Sequence, residues 1–285
     1  MSLASIATRS LASTATPPRW GRQTGFFQRR KPAFWLFVLL LLTGPIYLLL
    51  QVIYAATDPF GWLLSWGLML LYVVPVVLVV RWLDLYEREP RSLVVAAFLW
   101  GAIVAVAFSS FGNVHWGSVI THLAGAEFAS DWSAALTAPV VEEIYKVLGV
   151  VLIALIARAE TDDLMDGFVY GAMVGLGFTV TEDIDYFLGA FGGSIQGVLA
   201  GFWVRVVASG LYGHVLYTGL AGIGVAYFVR HRDDRSLARR TALALGLLGL
   251  AILAHFVWNS PLIWDLFPLF VATTVKGMPF LLALP

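Results

Sequence analysis

The chain has 285 residues, of which 59% are hydrophobic and 13% are charged. An ordinary soluble domain is about 45 to 50% apolar and about 25% charged, so this composition excludes a soluble globular protein. The 18 basic and 18 acidic residues cancel, which gives no reason to expect a nucleic-acid partner, and the absence of cysteine excludes disulfides and thiolate chemistry. We therefore expect a small polytopic protein whose environment is the lipid bilayer.

Seven apolar runs follow a polar N-terminal segment. A helix needs about 20 apolar residues to cross a bilayer, and the runs cover residues 33–56, 61–80, 92–112, 134–157, 167–188, 207–229 and 241–259. An eighth run, 262–285, contains Asp265 and Lys276 and either spans the membrane or lies at its interface. The Gly-rich stretch 191–206 is typical of a re-entrant or interfacial segment. The prediction is an all-α transmembrane bundle of seven to eight spans, with residues 32–285 as one helical membrane domain.

The basic residues indicate the orientation. Residues 1–31 contain six Lys or Arg and no acid, which favours a basic, disordered cytoplasmic tail. Short cytoplasmic loops carry an excess of Lys and Arg. With the N-terminus inside, 15 of the 18 basic residues fall in cytoplasmic segments. The outer segment 113–133 has none, and we expect it to be a polar loop.

Few ionisable side chains lie within the predicted spans, and each is costly in a bilayer and marks a candidate functional site. Counting along the spans at 1.5 Å per residue places four of them, Glu142, Glu182, His214 and His255, in the outer half of the membrane. A group from four spans at one depth predicts a shared site, with the catalytic core within about 134–260. Its members are Glu142, Glu143, Lys146, Glu182, His214, His255 and Asn259.

Spacing predicts which way these side chains face. Gly167, Gly171 and Gly175 follow the small-xxx-small pattern that lets a neighbouring helix approach closely. Glu182 lies seven residues after Gly175, so it shares that face and should point into the bundle. Lys146 is close enough along its helix to pair with either preceding Glu.

A carboxyl group in an apolar pocket can accept a proton from water and later return it, and an amide can donate to a developing oxyanion. These residues therefore contain the parts of an amide-bond hydrolase. Two His and one carboxylate can also hold a catalytic zinc ion, although no H-E-x-x-H helix is present. Intramembrane Glu and His also build proton relays, so a non-enzymatic, proton-coupled transporter or a scaffold is a third hypothesis for the function.

The ordered motifs resemble the PrsW-type intramembrane proteases, which are related to the CAAX prenyl endopeptidases. The match covers about residues 62–260. It comprises E-E-x-x-K from Glu142 to Lys146, the run from Asp166 to Glu182, His214 with Thr218 and Gly219, His255 with Trp258 and Asn259, and Y-E-x-E-P from Tyr86 to Pro90.

The resemblance implies a peptidase in a bacterial cell membrane that cuts a single-span membrane protein near the extracytoplasmic face. In this family such a cut can be the first in the degradation of an anti-sigma factor during stress signalling. It makes Glu142 the base that activates water, Glu143 its partner, and His214, His255 and Asn259 catalytic, with no metal required. Lys146 and Glu182 are supporting residues, and the oligomeric state is left open.

Two interpretations remain open from sequence. Glu143 and Lys146 can form a structural ion pair, and Glu182 can be a buried hydrogen-bonding group without a direct role. Arg205 is expected to reach the outer membrane interface, although it could bind a substrate carbonyl. Lys276 is expected to be an interfacial anchor.

Overall fold

The computed structural model describes residues 24–84, 88–208 and 211–262, and all regular structure in these ranges is helical. The π-helical segment Trp100–Ala105 joins two α-helices, a second π-helical segment, Trp203–Val207, follows the end of another, and a 3-10 turn covers Arg158–Glu160. The α-helices are α1 (Pro32–Leu41), α2 (Gly44–Thr57), α3 (Pro59–Leu83), α4 (Arg91–Leu99), α5 (Val106–Ala124), α6 (Ala126–Ile156), α7 (Leu164–Leu188), α8 (Ile195–Phe202), α9 (Gly213–Arg230) and α10 (Leu237–Asn259).

The predicted all-α membrane bundle is confirmed. Five helical stretches among the described residues are long and apolar enough to cross a membrane by length and composition: Pro32–Thr57, Pro59–Leu83, Arg91–Ala124, Leu164–Leu188 and Leu237–Asn259. The predicted fourth and sixth spans correspond to α6 and α9, which carry much of the polar site and pack against each other and against α10. Large apolar side chains on the outside of the bundle, such as Leu63 and Leu70, suit contact with lipid.

Helix α7 forms the centre of the bundle, and its glycines explain why. A Cβ atom on Gly171 would lie 2.2 Å from the carbonyl oxygen of Thr218 on α9, and one on Gly175 would lie 2.1 Å from that of His214. On another side of α7, a Cβ on Gly177 would lie 2.0 Å from the carbonyl oxygen of Phe98 on α4. Only glycine permits such backbone approach, so the predicted small-residue face does pack closely against a neighbouring helix.

The connections between helices lie at two opposite ends of the bundle. At one end, the backbone N–H of Thr24 bonds to Glu160 over 2.7 Å, that of Phe26 bonds to Ser92 over 3.0 Å, and Arg230 lies 3.9 Å from Asp163. These contacts bring together residue 24 and the α3–α4, α6–α7 and α9–α10 connections, which carry the predicted cytoplasmic charges. We call this the basic end.

Residues 113–133 do not form the predicted polar loop. Helix α5 continues to Ala124, Gly125 makes the turn with a φ of 90°, and α6 begins at Ala126. The polar side chains return to their own helix, since the hydroxyl of Thr121 donates to the carbonyl of Gly117 over 2.9 Å. Polar composition indicated a loop, but these intrahelical bonds make it compatible with a helical hairpin.

Several expectations concern residues outside the described ranges. These residues include the first 23 of the predicted tail and Tyr86 and Glu87 of the Y-E-x-E-P element. They also include almost all of the eighth apolar run, with Lys276. Of the predicted tail, residues 24–31 are described, and Phe26 there is buried against Phe34 and Phe37. The stretch 191–206 forms α8 and most of the second π-helical segment.

Candidate active site

Four helices bring the predicted site residues together at the end of the bundle opposite the basic end. Helix α6 supplies Glu142, Glu143 and Lys146 from its middle, and the remaining groups come from helix ends. Glu182 lies near the C-terminus of α7, His214 at the start of α9, and His255 and Asn259 at the C-terminus of α10. A cavity of about 610 Å³ opens at this point. Among its lining residues are Glu142, Glu182, His214, His255 and Asn259.

Glu142 is the member of the paired glutamates that reaches the cavity. Its Oε1 accepts a hydrogen bond from the side-chain amide of Asn113 over 3.1 Å. Its Oε2 lies 3.4 Å from the Lys146 ammonium and 3.9 Å from Nε2 of His255. Only 2% of the side chain is exposed. The carboxylate is therefore held in place while one of its edges faces the cavity.

Glu143 lies beneath the cavity and is fully engaged. Its Oε1 is 2.7 Å from the Lys146 ammonium and 3.1 Å from Nδ1 of His255, and its Oε2 accepts a bond from the Thr218 hydroxyl over 3.1 Å. Neither Glu143 nor Lys146 has any exposed surface. The pair links α6, α9 and α10, so it orients His255 in addition to forming an ion pair.

Both histidines have one ring nitrogen on a carboxylate. His214 contacts Glu182 through Nε2 over 3.1 Å, and the ammonium of Lys146 lies 2.8 Å from its Nδ1. His255 contacts Glu143 through Nδ1, as described above. A carboxylate partner of this kind sets the tautomer of an imidazole. The second ring nitrogen of His214 lies against Lys146, and that of His255 lies against the Asn259 amide.

The Asn259 side chain makes two contacts within the candidate site. Its amide nitrogen lies 3.3 Å from Nε2 of His255 and donates to the carbonyl of Ala134 over 3.3 Å. The side chain lines the cavity beside His255. The predicted oxyanion donor is therefore next to the reacting groups, where it also joins α10 to α6.

Arg205 lines the cavity of the candidate site. It is in the second π-helical segment, and its guanidinium donates to Glu182 over 2.7 Å and to Asp183 over 2.5 Å. It also stacks 3.7 Å from the ring centre of Tyr186. Hydropathy could not predict this position, because the tertiary contact between the Trp203–Val207 segment and α7 decides where the side chain points.

Sequence reasoning missed Asn113 and did not place Thr218 against Glu143. Asn113 comes from α5, in the segment expected to be a loop, and nothing in its local pattern indicates a contact with Glu142. Thr218 lies four residues after His214 on α9, so it shares that residue's face. Helical spacing was therefore a usable signal for Thr218 but not for Asn113.

Glu142, His214 and His255 form a possible metal-binding group, because one ligand atom from each lies within 4.8 Å of the others. The donor set suits zinc, since both histidines also have the carboxylate partners that zinc-bound imidazoles usually have. The Lys146 ammonium contacts two of the same three residues, Glu142 and His214. A metal ion bound there would have to take over those contacts from Lys146.

The buried charges are consistent with this donor set. Among the described residues, the carboxylates of Glu142, Glu143, Glu182 and Asp183 pair with two Lys or Arg side chains, those of Lys146 and Arg205. Buried charge is stable only when it is compensated. Either a divalent cation or protons on the histidines and carboxyls would balance the site.

Comparison with known proteins agrees with the motifs and their geometry. A family described as PrsW family intramembrane metalloprotease matches residues 89–284, which include every residue of the site. Protease PrsW of Geobacillus kaustophilus (strain HTA426) is 35% identical over 105 residues, which are 37% of this chain and 44% of that protein. The chain thus matches less than half the length of this relative, and no solved structure matches. The family match spans more than half of the chain, and the protein belongs to the PrsW family.

Proposed function

We propose that the protein is an intramembrane endopeptidase that cuts a membrane-anchored protein near the extracytoplasmic face. The observation that carries this proposal is the convergence of Glu142, His214, His255 and Asn259 around one cavity. The family membership supports peptidase chemistry. The cavity lies at the end of the bundle opposite the basic connections, which by the positive-inside rule is the outer end.

In the proposed reaction, Glu142 takes a proton from water, and the resulting hydroxide attacks the carbonyl carbon of the scissile peptide bond. The carbonyl oxygen becomes an oxyanion, to which the Asn259 amide can donate. When the C–N bond breaks, Glu142 returns the proton to the leaving amine, so the carboxylate is regenerated. Glu143 orients His255, and Glu182 orients His214, through the contacts described above.

The natural substrate in this proposal is a single-span membrane protein. A cut in its extracytoplasmic part suits a site at the outer end of the bundle, and we propose the first cut of an anti-sigma factor in a stress-signalling cascade as its role. The protein would then reside in a bacterial cell membrane with its N-terminus in the cytoplasm.

Zinc-dependent hydrolysis is the second candidate, and the close grouping of Glu142, His214 and His255 favours it. These three residues would hold the ion. A zinc ion there would lower the pKa of a bound water and polarise the substrate carbonyl. In that case Glu142 would be a ligand, and the fixed contacts of Glu143 and Glu182 would orient the two imidazoles.

Release of extracytoplasmic protein fragments tests the proposed function. Cells producing the wild type or Glu142→Gln at equal abundance are compared by quantitative mass spectrometry of the released fraction. Glu127→Gln, at an exposed position on the same helix, is the matched control. We expect Glu142→Gln to abolish release of specific fragments and Glu127→Gln to leave it unchanged. Equal release by all three proteins would contradict the proposal.

Metal content separates the two mechanisms. The purified full chain is analysed for zinc by elemental mass spectrometry, alongside His214→Ala and His255→Ala. About one zinc per chain that both variants lose, together with activity lost to a chelator and restored by zinc, would establish the metalloprotease. Full activity in metal-free protein would establish the glutamate mechanism.

A further inference from the structure

A second cavity, of about 460 Å³, lies at the basic end of the bundle, far from the proposed active site. Three of its lining residues are arginines: Arg81 from the last turn of α3, Arg88 from the α3–α4 connection, and Arg91 at the start of α4. The remaining lining residues are Gly25 and neighbours of these arginines in the 89–92 segment. Nothing in the proposed proteolysis uses this cavity.

The acidic groups that the structure describes near this cavity do not cancel the three guanidinium charges. The Glu89 carboxyl is buried and accepts a hydrogen bond from the Tyr170 hydroxyl. Burial raises the pKa of Glu89 to about 10, so this group is neutral at pH 7. Asp84 accepts a bond from the Glu89 backbone N–H over 3.1 Å, and its carboxyl faces Arg81 and Arg88. Counting only the described residues that line or face this cavity, the charge is net positive.

Two of the arginines have the capacity to bind an anion. Among the described residues, Arg81 and Arg91 form no ion pair, and both are exposed. A guanidinium presents its donors in a planar fork that matches a phosphate group. A concave surface lined by such groups from two helices favours phosphate over a simple halide ion.

The cavity lies where lipid headgroups are expected. Trp82, next to Arg81, is 62% exposed, and Leu78, one turn deeper in α3, is also 62% exposed. An exposed tryptophan at the end of an apolar span is typical of the membrane interface. Basic pockets between helices on the cytoplasmic side are suited to lipid headgroup phosphates.

We propose that this arginine-lined cavity binds the phosphate group of an anionic phospholipid at the cytoplasmic face. The lipid would join the end of α3 to the start of α4, and thereby to the α7 helix that Glu89 contacts through Tyr170. The site is independent of the proposed peptidase activity, because it shares no residue with the other cavity.

Native mass spectrometry of the full chain in detergent tests the proposal. The protein is titrated with phosphatidylglycerol and, separately, with zwitterionic phosphatidylcholine. We expect wild type to retain phosphatidylglycerol preferentially and Arg81→Gln/Arg91→Gln to bind it at least tenfold more weakly. The matched control, Arg232→Gln/Arg239→Gln, removes two exposed arginines from the α9–α10 side of the same end and should bind within twofold of wild type.

Three outcomes would overturn the proposal: equal weakening by both double variants, no weakening by either, or complete displacement of the lipid by millimolar inorganic phosphate. The last result would make free phosphate the ligand. If the first double variant does not fold, Arg91→Lys replaces it, because lysine keeps the charge and removes the fork. Arg91→Lys should still weaken retention severalfold, and unchanged retention would contradict the proposed phosphate contact.

Discussion

At the scale of single residues, the paired glutamates differ in what surrounds them. Glu142 has one edge toward the cavity, whereas Glu143 is enclosed by Lys146, Thr218 and His255. A group that must exchange a proton with water needs access, and a group that orients a partner needs fixed contacts. The two neighbouring carboxylates are therefore suited to different tasks, and this difference supports the proposed role of Glu142 as the reacting group.

The contact between Asn113 and Glu142 predicts a positioning role for this asparagine. We expect Asn113→Ala to lower turnover about 10- to 100-fold with little change in KM, since a hydrogen bond to a charged group contributes about 1.5 to 3 kcal/mol. The measurement is the rate at which cleavage products form. His115→Ala, at an exposed position on the same helix, is the control, and equal rates for both variants would contradict the role.

The raised pKa of the Glu89 carboxyl predicts that the stability of the fold depends on pH. Its pKa is raised by burial from 4.5 to about 10 in the folded chain, so the folded state binds this proton more tightly than the unfolded state. Stability should then fall as pH rises between about 5 and 10. Glu89→Gln removes this titration, so its thermal unfolding temperature relative to wild type should increase from pH 6 to pH 9. A constant difference between the two proteins across that range would contradict this account.

Sequence could identify most of the site but not all of it. Intramembrane charge singled out the Glu and His residues, because each is costly unless it is used. Asn113 carries no charge and lies in a polar segment, so its contact with Glu142 depends on tertiary structure. The position of Arg205 also depends on tertiary structure, because its partners on α7 determine where its side chain lies.

At the scale of helices, the approach of α9 to α7 determines the site geometry. The backbone carbonyl of His214 lies against Gly175, so the distance between these helices sets the distance between His214 and Glu182. The small-residue spacing could predict this face from sequence. The helical hairpin of α5 and α6 could not be predicted in the same way, because its polar composition is also that of a loop.

Enlarging the interface should separate the helices. In Gly171→Ala, the new methyl group would lie 2.2 Å from the Thr218 carbonyl oxygen, and such overpacking costs about 1 to 3 kcal/mol. We expect a lower unfolding temperature and loss of cleavage. The measurement is thermal unfolding in detergent together with product formation.

Gly246→Ala provides the matched control for this substitution. No atom lies within 4 Å of a Cβ built at Gly246 in α10. Replacing a mid-helix glycine with alanine should therefore be neutral or stabilise the chain by roughly 0.5 to 1 kcal/mol. If both substitutions had the same effect, close packing of α7 on α9 would not be what positions the site.

At the scale of the whole molecule, the proposed active site and the basic connections occupy opposite ends of the bundle. The chain contains no cysteine, so single cysteines can report which end faces outward. A membrane-impermeant maleimide added to intact cells should label Ser130→Cys in the α5–α6 hairpin and not Asp233→Cys between α9 and α10. Both positions are exposed. The reverse labelling pattern would place the site at the cytoplasmic face and exclude an extracytoplasmic cut.

The most direct test of the central claim is a comparison of membrane-protein N-termini in cells making wild type or Glu142→Gln at matched abundance. Mass spectrometry of enriched N-terminal peptides identifies each cut and its position. The account predicts that a few termini in the extracytoplasmic, juxtamembrane parts of single-span proteins are present with wild type and absent with Glu142→Gln. Identical termini under several stress conditions, with the variant folded and inserted, would contradict it.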